Sequence, residues 1–452
     1  MLDSSIFKSY DVRGIYPEQL NENTAYQIGK AFVKYISGQP SHEASAGKAK
    51  KVVVGYDVRL SSPELFLALS NGLLAEGAEV YSIGQVPTEM LYFAVANYNF
   101  DAGIMITASH NPKEYNGFKM MQRNGKDIAW IRGKDLFSSM GAVEPVAEKA
   151  GMVHEKNIWQ DYINYILKFS GDMGALKVVV DASNGFVGNV MEKMKPSLPV
   201  EMIALNFKPD GNFPNHSPNP LDEGASDQIE KEIKKHKADV GFMFDADADR
   251  IFLIDEQGNM VSADIALLLL AKYFLQKSPG SVIAYNLICS RSVPEFIKKW
   301  GGVPVRTQVG FVNVREGLIQ NNGIMGGELS AHYCFRDYFY MDSGMIAFLT
   351  LLQIISRENK KVSDIVKALT IYAKPAQANF AIEDKNAVLE KVKEKYKDGK
   401  QDYLDGVTVE YETWWFNLRP SNTEPLLKLT LEAQTQELLN EKKKELTEFI
   451  LK

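Results

Sequence analysis

The sequence predicts an α/β chain: three related units of alternating strand and helix, followed by a small α+β domain. The first observation behind this is a pattern that recurs three times. Lys51–Gly84 runs from an apolar strand (Val52-Val53-Val54) through a polar turn into a helix over Pro63–Glu76, then a glycine stop and apolar Val80–Ile83. Lys177–Asn206 repeats it, with Val178–Val180, the turn Asp181–Gly185, a helix, and Val200–Leu205. Ser281–Gln308 does so again, with Val282–Tyr285, a helix through Pro294–Trp300, two glycines, and Val303–Thr307. The likeness is one of pattern and not of residue identity. The second observation is length, since 452 residues exceed what one hydrophobic core serves and imply three or four domains. The third is a change of character after Ala368. Gln377–Ile382, Gly406–Tyr411 and Leu426–Ala433 alternate as strands, with helices at Lys385–Lys397 and Thr435–Leu451 beside them.

The joints follow from composition. Ser41–Lys50, rich in Ser, Ala and Gly, reads as a loop inside the first unit, Gly141–Met152 as a linker into the second, and Asp255–Gly258 as a turn into the third. The expected domains are therefore 1–150, 151–257, 258–370 and 371–452.

Composition excludes several function classes. Hydrophobic residues at 45% and charged ones at 24% are ordinary for a soluble globular protein. A net charge of −6 lacks the basic face a nucleic-acid partner requires. An anionic ligand would need a local cluster of Arg and Lys. Two cysteines, Cys289 and Cys334, make no disulfide framework and read as reduced thiols. The first residues lack a basic region followed by an apolar core, so no signal peptide is expected. The greasiest stretches, Ile265–Leu270 and Met345–Ile355, are too short to span a bilayer. A cytoplasmic protein without a membrane partner is expected.

Four motifs carry chemistry. Thr107-Ala-Ser-His-Asn-Pro112 follows the apolar run Ala102–Ile106, so Ser109 leaves a buried strand on a turn closed by proline. Such a turn can expose a nucleophile, although Ser and Asn also satisfy turn amides without further purpose. Asp245-Ala-Asp-Ala-Asp-Arg250 is entered through the strand-like Val240–Phe244. Three carboxylates spaced by alanine can turn their oxygens to one hard cation such as Mg²⁺, and without a cation they would repel one another.

Two rival readings attach to this run. Its acids fall at the first, third and fifth positions, with Glu256 at the twelfth, as in a calcium-binding EF-hand loop. Arg250 nevertheless stands where that loop needs glycine, and the flanks read as strands. A strand followed by Asp-x-Asp also resembles the nucleophile loop of haloacid-dehalogenase-type phosphatases, with Asp245 as nucleophile. Asp249 and Arg250 fit that pattern poorly.

The third motif, Gly326-Gly-Glu-Leu-Ser-Ala-His332, alternates Glu328, Ser330 and His332. On an extended backbone all three would face one way, with Glu and Ser gripping sugar hydroxyls and His332 donating or shuttling a proton. A polar loop with a stray histidine is the plainer reading. The fourth, Arg419-Pro-Ser-Asn-Thr-Glu-Pro425, offers a guanidinium, hydroxyls and turn amides as an anion cradle. Arg13 and Lys119 are two further cations close to glycines, which admit a ligand close to the backbone.

Together these motifs resemble the α-D-phosphohexomutase superfamily, most closely its bacterial phosphomannomutase/phosphoglucomutase branch. The resemblance covers the whole chain, one motif per domain in the family's order: phosphoserine loop Thr107–Pro112, metal loop Asp245–Arg250, sugar loop Gly327–His332 and phosphate loop Arg419–Thr423. Tyr10–Gly14, Arg59–Pro63 and Pro209–Glu223 also look like family stretches. The resemblance implies four domains around a central cleft, the first three with mixed sheets and the last a mobile lid.

It implies that a phosphorylated Ser109 exchanges its phosphoryl group with a hexose phosphate through a hexose 1,6-bisphosphate. It assigns one Mg²⁺ per chain to Ser109, Asp245, Asp247 and Asp249. Arg13, His110, Lys119 and Arg250 would surround the transfer, with Lys119 or His332 as general base. Glu328, Ser330 and His332 would hold the sugar, and Arg419, Ser421, Asn422 and Thr423 the phosphate that is not reacting. The substrate would be a small phosphosugar of mannose and glucose, and monomer and dimer both stay open. Ala331, Ile288 and Phe311 depart from the family pattern and leave the sugar preference open, while Leu329 argues against a glucosamine-phosphate substrate. A non-catalytic sugar-phosphate sensor is the remaining alternative.

Overall fold

The computed structural model describes residues 3–38, 49–125, 127–140, 152–358, 360–421 and 426–451. The chain forms two compact bodies, one of Met1–Val261 with His332–Val362 and the other of Ser262–Ala331 with Ser363–Lys452. Most of the loop expected at Ser41–Lys50 and of the linker at Gly141–Met152 lies outside the described residues.

The architecture is four-domain α/β. The first body holds two mixed sheets. One has the order Val12–Ile15, Tyr115–Asn124, Ala102–Ile106, Lys51–Tyr56, Glu79–Gln85, Val153–Glu155, with Asp127–Ile131 paired to Tyr115–Asn124. The other runs Ile251–Ile254, Val240–Phe244, Leu176–Asp181, Val200–Leu205. In the second body, Met325–Gly327, Val282–Asn286 and Val303–Thr307 pair parallel in that order. A separate five-stranded antiparallel sheet runs Ala378–Phe380, Leu427–Ala433, Trp414–Pro420, Val407–Glu410, Lys400–Asp402.

The three recurring patterns share a topology as well as a rhythm. In each unit a first strand is followed by a helix, a second strand, another helix and a third strand. The third strand pairs with the first, and the first with the second, all parallel. The intervening helices are Ser62–Ala75 and Thr88–Asn97, Val187–Met194 and Asp227–His236, and Ser292–Lys299 and Phe311–Gln320. First strands flanked by parallel neighbours and covered on both faces read as unbroken apolar runs, and Val52–Val54 and Val178–Val180 are fully buried. The first two of the four motifs follow third strands, Ala102–Ile106 and Val240–Phe244, and the third motif begins within the third strand Met325–Gly327.

Several elements differ from expectation. Trp414–Pro420 is a strand with six consecutive buried residues, which hides the alternation of a half-exposed strand. Its buried Asn417 donates Nδ2 to Asp405 O (2.8 Å) and Thr408 Oγ1 (3.0 Å). Arg419 therefore sits on a strand and not in the turn expected for it. The greasy stretches fall inside helices Ala263–Lys277 and Gly344–Glu358, of 15 residues each. Among the described residues no helix is long and apolar enough to cross a membrane. In the last domain, Asp384 and Thr435 cap helices Lys385–Lys395 and Gln436–Ile450 by accepting from Ala387 N (2.9 Å) and Leu438 N (3.2 Å).

Helices Glu22–Gly38 and Ser62–Ala75 touch backbone to backbone through Gly29 and Gly72. A Cβ at Gly72 would lie 2.1 Å from Tyr26 O, and one at Gly29 2.5 Å from Leu69 O. Gly72→Ala is expected to destabilise the first body by about 2 kcal/mol or more through enforced helix separation. A lowered urea midpoint with an unchanged denaturant slope would report it.

Candidate functional site

The centre of the first body is the turn that carries Ser109. Its backbone adopts φ 49°, a left-handed conformation uncommon for a residue with a side chain. Thr107 helps hold it by accepting from Ser109 N at 2.8 Å. The larger constraint comes from Arg59, whose side chain is wholly buried. Nη2 donates to Ser109 O (2.7 Å) and Asn111 O (2.6 Å), while Nη1 donates to Pro112 O (2.7 Å) and Tyr115 O (2.9 Å). Nε is paired with Asp57 Oδ2 at 3.1 Å, and Asp57 Oδ1 also accepts from Ser62 Oγ. One guanidinium thus satisfies four carbonyls along the loop and the first residue of the strand that follows it.

Ser109 Oγ is 3% exposed as a residue, lies 3.2 Å from Asp245 Oδ2, to which it donates, and 3.1 Å from His110 Nδ1. Burial, with Arg250 and Arg13 close by, holds His110 well below the usual histidine range, so its ring stays neutral. Arg13, on the edge strand Val12–Ile15, grips the same turn by donating to Asn111 Oδ1 (2.6 Å) and pairs with Asp11 (2.5 Å).

The Asp245–Arg250 loop brings its three carboxylates together. One oxygen from each of Asp245, Asp247 and Asp249 lies within 4.8 Å of the others, and all three residues are buried. Arg250 Nε donates to Asp245 Oδ2 at 2.8 Å. Lys119 Nζ donates to Asp247 Oδ2 at 2.7 Å and to Asp249 Oδ2. Thr88 Oγ1 (2.5 Å) and Thr107 Oγ1 (3.3 Å) complete the surroundings of Asp247 Oδ2.

The electrostatics follow from this crowding. Burial raises the Asp245 carboxyl to about 6 against the pull of Arg250, with Asp249 and Asp247 adding to the rise. Burial opposes the charge on Lys119, yet Asp247 and Asp249 outweigh it and hold the ammonium protonated well above its ordinary range. Asp247 Oδ1 and Asp249 Oδ1 are buried without a hydrogen-bond partner among the described residues. Orphaned carboxylate oxygens beside a serine hydroxyl are a donor set that fits a hard divalent cation.

His332 belongs to this centre. It pairs with Arg250 in an isolated bridge and places Nε2 3.5 Å from Asp249 Oδ1. The expected extended run from Glu328 to His332 is not observed. After strand Met325–Gly327 the backbone turns tightly, with Ala331 N donating to Glu328 O (3.0 Å) and Ala331 at φ 69°. Glycine would hold that conformation without strain, which gives the Ala331 departure a physical cost of about 1–2 kcal/mol.

In the second body, Glu328 accepts from Asn286 Nδ2 (3.3 Å) and Gly310 N (3.1 Å), and Ser330 Oγ donates to its other oxygen. Ile288 and Phe311 are both buried, and Phe311 opens a helix. Arg419, at a strand end, donates to Pro420 O, and Ser421 N donates to Leu426 O. Asn422 and Thr423 lie outside the described residues.

Arg59 stands out in the sequence only within the family-like stretch Arg59–Pro63, without a role, and Asp57, Thr88 and Asp342 do not stand out at all. Asp-x-Arg at the exit of a buried strand was a usable sign for Asp57 and Arg59, but nothing pointed from Arg59 to carbonyls fifty residues away. Thr88 carries no local signal. Removing Arg59 alone leaves Asp57 buried and uncompensated, so Arg59→Met is expected to cost about 3–5 kcal/mol and Asp57→Asn with Arg59→Met distinctly less. Denaturant midpoints of both variants measure the difference.

A second buried acid sits beside Thr88. Glu89 accepts from Ser343 Oγ, and burial raises its carboxyl to about 8 from the ordinary 4.5. A folded-state value above the unfolded one gives stability that is full below about 4.5 and is lost as pH rises through about 8. The melting temperature should fall between pH 5 and 8.5, and Glu89→Gln should flatten that slope.

Known proteins agree with this geometry. Residues 4–131, 160–258 and 262–372 match phosphoglucomutase/phosphomannomutase alpha/beta/alpha domains I, II and III, and residues 378–449 match the C-terminal domain of the same family. A phosphomannomutase of Methanocaldococcus jannaschii is 35% identical, covering 100% of this chain and 98% of the relative. Phosphohexose mutases of Xanthomonas campestris are 36% identical, covering 96% and 98%. The crystal structure of a phosphoglucomutase/phosphomannomutase family protein from Burkholderia thailandensis superposes with a TM-score of 0.88 at 30% identity, covering 100% of this chain and 98% of that one. With all four domains matched in order and full-length relatives at this identity, the chain belongs to the phosphoglucomutase/phosphomannomutase family, enzymes that move a phosphoryl group within a hexose phosphate.

Proposed function

We propose that the chain interconverts the 6-phosphate and 1-phosphate of mannose and glucose through a phosphorylated Ser109 and a hexose 1,6-bisphosphate. The observation that carries this is the placement of Ser109 Oγ, on a rigidly held left-handed turn, 3.2 Å from Asp245 Oδ2 within the carboxylate trio. A phosphoryl group on that oxygen would meet Arg13, Lys119 and Arg250, cations that offset charge during transfer.

Asp245, Asp247 and Asp249, with an oxygen of phosphorylated Ser109, would hold one Mg²⁺. Bound there, the ion supplies charge neutralisation at the transferring group. Lys119, held protonated by two carboxylates, suits electrostatic support better than proton abstraction. His332 therefore takes the role of proton carrier for the sugar hydroxyl, and neutral His110 accepts from or donates to Ser109. Glu328 and Ser330 are assigned to sugar hydroxyls, and Arg419, Ser421, Asn422 and Thr423 to the distal phosphate.

These roles divide the chain into a phosphoserine-loop domain (1–150), a metal-loop domain (151–257), a sugar-loop domain (258–370) and a phosphate-binding domain (371–452). Cys289 and Cys334, both buried thiols outside any disulfide, accord with a cytoplasmic setting.

Ser109→Ala is expected to lower kcat by at least about 10⁴-fold with the fold retained, and to remove an 80 Da increment from the intact mass of the phosphorylated protein. Turnover surviving in Ser109→Ala but lost in Asp245→Asn would overturn the reading in favour of an aspartyl phosphatase. Values of kcat/KM for mannose 1-phosphate, glucose 1-phosphate and glucosamine 1-phosphate should rank the first two well above the third.

A further inference from the structure

Beside the carboxylate trio lies a second cluster that shares Asp249 and His332 with the proposed transfer and adds Asp342, which that transfer leaves unused. Asp342 is fully buried, and neither of its carboxylate oxygens has a hydrogen-bond partner among the described residues. Oδ1 of Asp249 has no close hydrogen bond among the described residues either, and its polar neighbour is His332 Nε2 at 3.5 Å. His332 stands between these oxygens, with the same Nε2 3.9 Å from Asp342 Oδ2. The ligand atoms of all three residues lie within 4.8 Å of one another.

Two buried carboxylates that share only the His332 imidazole, at 3.5 and 3.9 Å, are poorly compensated, so a cation belongs between them. The arrangement is also built into the backbone. His332 is bridged to Arg250, and Asp342 is bridged to Cys334, two residues further along the strand Tyr333–Phe335. Residues two apart on a strand share a face, which carries His332 and Asp342 toward the same space. Ser343 N donates to Tyr333 O and Phe335 N to Met341 O, closing that hairpin. The side chain of His332 keeps 13% of its surface exposed, so the cluster is reachable from solvent.

We propose that Asp249, His332 and Asp342 form a second cation site, selective for a borderline transition metal such as Zn²⁺. One imidazole nitrogen with two carboxylate oxygens is a zinc donor set, whereas the all-oxygen trio suits Mg²⁺. Donor separations of 3.5 and 3.9 Å are close to the roughly 3.4 Å edge of a tetrahedron whose ligands lie about 2.1 Å from the ion. Asp249 is common to both sites and would bridge them through Oδ1, the oxygen left open while Lys119 donates to Oδ2. The site stands on this geometry, and only its effect on turnover rests on the role given to His332. A metal on Nε2 takes the lone pair that would accept a proton, so occupancy arrests the enzyme without displacing Mg²⁺.

The test uses the full chain, stripped of metal, saturated with Mg²⁺ and then titrated with Zn²⁺. Elemental analysis after gel filtration should find one Zn²⁺ per chain in the presence of excess Mg²⁺. Asp342→Asn and His332→Gln should each weaken that binding by at least about tenfold, while Asp245→Asn should retain it. Melting curves identify any variant that fails to fold, and either of the first two suffices alone. Co²⁺ in place of Zn²⁺ should give visible absorption bands in the wild type that Asp342→Asn lacks. Wild type that takes up no Zn²⁺ under excess Mg²⁺ would overturn the proposal, with a protonated His332 then filling the gap. Zinc lost in Asp245→Asn but retained in Asp342→Asn would equally overturn it, placing the ion in the all-oxygen trio. Loss of turnover in Ser109→Ala bears on the phosphoserine and leaves these binding results untouched.

Discussion

The buried Arg59 guanidinium is the constraint on which the site depends. It collects carbonyls from Ser109, Asn111, Pro112 and Tyr115, four acceptors spread along the loop and the first residue of the strand that follows it. A loop left to itself would find water for those groups and populate many conformations. Pinned by one planar donor fork, whose charge is met by Asp57 and whose face lies 5.4 Å from the centre of the Phe213 ring, it keeps Ser109 in a single strained conformation. The Ser109 hydroxyl then meets the Asp245 carboxylate at a distance set by the scaffold.

Around that hydroxyl the structure concentrates opposite charges on buried side chains. Lys119 and Arg250 each take one side of the carboxylate trio and leave other oxygens unmatched. In a low-dielectric interior such an arrangement is tense, and a cation placed among the unmatched oxygens would relieve it. The same tension explains why burial drives His110 to neutrality while Lys119, equally buried, stays charged. The imidazole is surrounded by cations, and the ammonium by carboxylates.

Much of this was legible in the chain itself. Val200–Leu205, Val240–Phe244 and Val303–Thr307 are strands with the bounds their apolar runs predict. Ser109 and the three aspartates converge as their motifs imply. What escaped notice did so for identifiable reasons. Arg59 acts over fifty residues of separation, and no local pattern encodes its partners. Asp342 reads as an ordinary polar residue before a helix, and only the hairpin from Tyr333 carries it to His332. Trp414–Pro420 is buried along both faces, so it shows none of the alternation by which a strand is recognised. The Glu328–His332 stretch failed in the opposite way: its alternation is real in the letters, but the left-handed Ala331 breaks the strand that alternation implies.

The strand order shared by the three α/β units has a consequence beyond architecture. Each motif emerges from the same place, the end of the third parallel strand, where the hydrogen-bonded layer below is already complete. Nothing in that layer depends on whether the emerging loop presents a serine, three aspartates or a glutamate. A single ancestral unit, copied and joined, could therefore come to present a serine, three aspartates or a glutamate by altering a few residues in each copy. The core would not need to be renegotiated at any step. The chemistry of this chain is written on one repeated address, and only the contents at that address have diverged.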